Sequence, residues 1–79
     1  MNEKLKNTLA EVFNLSPTEI HEGLMKENIG SWDSLKQMDL VVTLEREYTT
    51  TLEITDIIKM TSVASIINVL RDKGFDLGG

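Results

Sequence analysis

Residues 34–48 carry the longest helical periodicity in the chain, and their composition constrains the fold more than any other stretch. At about 100° per residue, Lys36, Asp39, Thr43, Arg46 and Glu47 gather on one arc. Leu35, Met38, Leu40, Val41, Val42, Leu44 and Tyr48 occupy the rest. A helix apolar over more than half its circumference has to be surrounded, so this segment is expected to be the central element and the others its cover. Asp33 is placed to cap it, because its carboxylate can accept from the free amides of the first turn.

The flanking segments complete a small helical domain. Leu5, Leu9, Val12 and Phe13 fall at helical spacing over residues 2–14, with Glu3, Lys4, Lys6, Asn7 and Glu11 facing away. Ser16, Pro17 and Glu19 form a capping-box start for a single turn. Residues 20–31 show no period and read as a long ordered loop anchored by Ile20, Leu24, Met25 and Ile29; a loop of that length in so small a domain is usually functional. Thr49, Thr50 and Thr51 are β-branched and mark a connector. A short helix is expected over residues 54–60, with Glu53 or Thr55 near its start. Thr61 or Ser62 caps a last helix running to about Lys73, with Gly74 ending it. The expected fold is all-α: a four-helix bundle of three main helices and one short one, in one domain over residues 1–79, with 75–79 a flexible tail.

Composition narrows the function. Seventy-nine residues support one core. With no cysteine, disulfides and thiolate metal sites are ruled out, apolar packing must hold the fold, and a cytoplasmic setting fits. No segment reads as a signal peptide or a membrane span. A net charge of −5 disfavours nucleic acid and anionic membrane surfaces, and four aromatic residues offer no set of stacking platforms for bases. Basic protein surfaces are the better match.

Ser34 is the residue on which function turns. A serine beside a capping Asp is commonly structural. As a catalytic nucleophile it would need a base, and the sole histidine, His21, lies in the loop with no oxyanion-hole signature or Gly-rich elbow around Ser34. The wider pattern is more specific. Trp32-Asp33-Ser34-Leu35, the helix carrying Leu40, Val41, Leu44, Glu45 and Glu47, then Leu52, residues 56–60, Thr61-Ser62-Val63 and Ile67, together resemble the acyl carrier protein family over nearly the whole chain, most strongly from Trp32 to Leu70.

The resemblance implies an acyl-carrier-type bundle that is a carrier and not an enzyme. Ser34 would be esterified with 4'-phosphopantetheine from coenzyme A by a phosphopantetheinyl transferase, with Asp33 and Leu35 completing the attachment motif. A monomer of this kind would serve acyl-loading, acyl-transfer or condensing enzymes. The acyl chain could fold back between the second helix and its cover, against Met38, Val42, Leu44, Leu52, Ile57, Met60 and Ile66. Ile57 and Ile66 stand where many fatty acid carriers have smaller residues, so the cargo is expected to be short, polar or held outside.

Partners would read Lys36, Asp39, Thr43, Glu45, Arg46 and Glu47, a face of mixed sign where carriers of this family usually present an acidic one. That face, together with Trp32 before Asp33, resembles specialised carriers for lipid, secondary metabolite or polysaccharide-related pathways more than housekeeping fatty acid carriers. Two other readings stay open. An acidic helical interaction or inhibitor protein, similar to bacteriocin immunity proteins, needs the same charge and bundle. Gly78-Gly79 resembles the end of ubiquitin-like modifiers, which require a β-grasp that helical periodicity argues against.

Overall fold

The computed structural model describes residues 1–77. Four helices run in order: α1 (Glu3–Phe13), α2 (Ser34–Tyr48), α3 (Ile54–Lys59) and α4 (Val63–Asp72), and there is no strand among the described residues. Each helix starts where a side chain or main chain can satisfy the first free amides. Asn2 Oδ1 accepts from Leu5 N–H at 2.9 Å, and Asp33 Oδ1 from Lys36 N–H at 2.9 Å. Ser62 Oγ accepts from Ser65 N–H at 3.1 Å, while Ser65 Oγ accepts in return from Ser62 N–H at 3.0 Å. Pro17–Glu19 forms the expected single turn, here of 3₁₀ type.

α1 lies along α2, and α3 packs on α4. Leu5, Leu9, Leu40, Leu44, Met60, Val63, Ile66 and Leu70 are fully buried where these elements meet. Helix ends follow backbone chemistry. Asn14 and Thr49 take the left-handed conformation after α1 and α2, and Gly74, at φ +95°, turns the chain after α4 so that Phe75 N–H reaches Leu70 C=O at 3.1 Å.

Two expectations are corrected. α2 is not surrounded. Its buried side is a continuous arc of about 160° at 100° per residue, from Thr43 through Leu40, Leu44 and Tyr48 to Val41, leaving Leu35, Met38 and Val42 exposed. Thr43, expected on the wet face, is buried, because α1 packs along that side. The end of the chain is the second correction. Phe75 packs edge-on against Tyr48 with ring centroids 5.2 Å apart, and Leu77 is only 2 % exposed, so residues 75–77 belong to the packed structure. Gly78-Gly79 lies outside the described residues, which are helical and form no β-grasp.

The loop over residues 20–31 is ordered by both side chains and backbone. Ile20 and Ile29 are buried and Leu24 is half-buried, whereas Met25 is exposed and anchors through its neighbours' main chain. Lys26 N–H donates to Thr61 C=O at 2.9 Å and Val63 N–H to Leu24 C=O at 2.9 Å, clasping the loop to the start of α4. A turn over Lys26–Asn28 separates this clasp from Ile29.

The first turn of the short α3 is tied through Asp56 to its own start and to the end of α4. Asp56 Oδ2 accepts from Glu53 N–H at 3.0 Å and lies 2.9 Å from Lys73 Nζ. The backbone hydrogen bond, then that to Lys73, holds the Asp56 carboxyl below the ordinary aspartate range. A carboxylate depressed in this way contributes stability that is present above its unfolded pKa and lost as pH falls through the folded value. Asp56→Asn is therefore expected to flatten the acid limb of the stability profile, read as urea midpoints at stepped pH. An unchanged limb would remove the pair from the account of acid stability.

Candidate functional site

The chain entering α2 is held at every residue. Trp32 N–H donates to Ile29 C=O at 3.0 Å, Asp33 N–H to Ser31 C=O at 2.9 Å, and Gln37 N–H to Asp33 C=O at 2.8 Å. Trp32 is 3 % exposed, its ring centroid 4.5 Å from that of Phe13 on α1. This fixes the backbone immediately before Ser34 to the core. Ser34, the first residue of α2, is exposed, and its hydroxyl makes no hydrogen bond among the described residues.

The setting suits a phosphodiester. The site offers a small, accessible nucleophilic oxygen at the amino end of a 15-residue helix, where unpaired amides and the positive dipole end favour an anion. Asp33 satisfies the Lys36 amide and leaves those of Ser34 and Leu35 facing out of the helix end. His21 lies elsewhere, lining a cleft of about 300 Å³ with Met1, Lys6, Ile20 and Glu22.

The helix opened by Ser34 exposes apolar side chains beside its charged ones. Along α2 after it, Leu35 is 82 % exposed, Met38 54 % and Val42 55 %; on α3, Ile54 is 74 % and Ile58 70 % exposed. Leu35 therefore does not bury itself in the first turn. Met38 and Val42, expected against an acyl chain inside the bundle, stand outside it. Leu44, Leu52, Met60 and Ile66 are buried and Ile57 is half-buried.

The charged residues of α2 divide differently from the expectation. Asp39, Arg46 and Glu47 are exposed, and Lys36, half-buried, reaches Asp39 at 3.7 Å. Thr43 is covered by α1. Glu45 is half-buried and structural: its Oε2 accepts from Leu52 N–H at 2.8 Å, tying the α2–α3 connector to α2. Lys4 Nζ donates to Glu47 C=O at 2.7 Å and sits 4.5 Å over the Tyr48 ring, closing the α2 C-terminus. Clefts of about 300 and 150 Å³ lie between α1 and α2, the larger lined by Lys4, Asn7, Thr8, Glu11, Thr43, Arg46 and Glu47. None of the seven residues expected to line an acyl pocket contributes to these three clefts.

Gln37 escaped the sequence reading. Its side-chain oxygen accepts from Trp32 Nε1–H at 2.6 Å, and its amide nitrogen donates to Ile57 C=O at 3.0 Å and Met60 C=O at 3.2 Å. The available signal was its position: a polar residue on the otherwise apolar flank of α2, beside Leu44 and Leu40 in helical projection, one turn after Ser34.

A chain with an exposed serine opening the second helix of a four-helix bundle has the architecture of a prosthetic-group carrier. The sequence matches the family described as Phosphopantetheine attachment site over residues 3–70, and the chain belongs to that family. Its members carry 4'-phosphopantetheine covalently on a serine. No curated protein matches the chain. Among the described residues no helix is long and apolar enough to cross a membrane.

Proposed function

We propose that Ser34 is the attachment residue and that the protein is a non-catalytic acyl carrier of the cytoplasm, presenting its cargo to partner enzymes as a monomer. The observation that carries this is the free, exposed Ser34 hydroxyl at the start of α2 in a chain of the phosphopantetheine attachment family. A transferase would join Ser34 Oγ to the phosphorus of coenzyme A nearest the pantetheine, breaking the pyrophosphate link so that adenosine 3',5'-bisphosphate leaves, and taking up the hydroxyl proton. When bound, the group supplies a thiol on which acyl chains are held as thioesters. Asp33 holds the helix end open to the phosphodiester, and Trp32 keeps that end from moving. Family membership favours this reading over an acidic inhibitor.

The apolar surface of Leu35, Met38 and Val42, with Lys36 and Asp39 neutralising each other beside it, supports docking to enzymes with apolar rather than strongly basic surfaces. It also supports a specialised pathway over housekeeping fatty acid synthesis. Incubation with coenzyme A and a phosphopantetheinyl transferase should add one phosphopantetheinyl mass to the native protein and none to Ser34→Ala, read by intact mass spectrometry. A native protein that gains no mass would overturn the proposal.

A further inference from the structure

We propose that Gln37 latches α3 onto α2 and keeps an acyl chain out of the core, so that cargo rides outside the bundle. This rests on the reading of Ser34 as the attachment site. α3 has only six residues, so the carbonyls at its end lack helical partners. The Gln37 amide supplies a donor to Met60 C=O at 3.2 Å and a second one to Ile57 C=O at 3.0 Å, which also accepts from Met60 N–H at 3.1 Å. The same side chain holds the Trp32 indole N–H through its oxygen at 2.6 Å.

One residue thus joins the Trp32 side chain, the first turns of α2 and the end of α3. It does so on the flank of α2 adjoining Ser34, where an arm folding inward would have to pass. Behind it Leu44, Met60 and Ile66 are fully buried. Opening this seam would leave the part-buried Trp32 indole N–H and Met60 C=O without their Gln37 partner, and such groups are disproportionately unfavourable to leave unpaired. Outside, Met38 and Val42 already offer an apolar surface within a turn or two of Ser34.

The test loads Ser34 with butyryl or octanoyl pantetheine from the corresponding acyl-coenzyme A, then follows thioester cleavage by hydroxylamine and the methyl NMR signals of Leu44 and Ile66. In the native protein both thioesters should be cleaved at rates within about twofold, with the core methyls unmoved by the octanoyl chain. In Gln37→Ala, and in Gln37→Glu, which can still accept from Trp32 but cannot donate to α3, octanoyl should be cleaved about tenfold more slowly than butyryl, the protection of a chain about nine-tenths inside. The core methyls should then shift. A cap that merely stabilises α3 would move the unfolding midpoint and leave the chain-length ratio alone. Slow octanoyl cleavage in the native protein, or an unchanged ratio in both variants, overturns the latch. Absence of any mass gain on loading instead overturns the attachment reading and the latch with it.

Discussion

Trp32→Ala is expected to lower stability by about 3 to 5 kcal/mol, the usual loss for a buried large aromatic side chain. The indole is 3 % exposed, lies 4.5 Å from the Phe13 ring and hydrogen-bonds Gln37. Its removal leaves a cavity between α1 and the loop and an unpaired amide oxygen beside α3. Domains of ordinary size have only about 5 to 15 kcal/mol in total, and small ones lie toward the lower end. A large unfolded fraction should therefore appear at 37 °C. Trp32→Phe keeps most of the ring contact and loses the N–H, so its effect should be about 1 to 3 kcal/mol. Urea unfolding followed by circular dichroism separates the two; a loss below about 1 kcal/mol for the alanine variant would mean that the loop is held without the indole.

The second large effect concerns docking. Leu35 is 82 % exposed beside Ser34, and burying a leucine side chain is worth about 1.5 to 3 kcal/mol. Leu35→Gln should accordingly lower kcat/KM for transfer from coenzyme A about 10- to 100-fold. Its stability should stay within about 0.5 kcal/mol of native, because the side chain touches little of its own protein. Arg46→Ala, on the charged side of α2, should change kcat/KM less than about threefold, as rim charges usually do. A reversed ranking of these variants would show that recognition is electrostatic after all.

Local chemistry was readable from the sequence where caps decide it. Asp33 and Ser62 set the starts of α2 and α4, and Gly74 the end of the last, because each acts within one turn. What failed was assignment of faces. Counting apolar residues on α2 made Leu35, Met38 and Val42 look interior and Thr43 look wet, but the face is chosen by where α1 packs, a long-range fact. Gln37 was invisible for a related reason: its partners at Ile57 and Met60 lie 20 and 23 residues away. Phe75 and Leu77 looked like a tail because two apolar residues after a glycine make no period, yet both find the core through the turn that Gly74 permits.

The clasp between the 20–31 loop and the start of α4 bears on when Ser34 acquires its setting. Lys26 and Leu24 are tied to Thr61 and Val63, and Gln37 to Ile57 and Met60, all of them residues made after Ser34. A chain emerging from the ribosome with α1 and α2 complete has the serine but neither tie. Non-local closures of this sort come late in folding. The surroundings of Ser34 are therefore completed by residues 57–63, and a chain ending before them keeps the serine but not the ties that hold its setting.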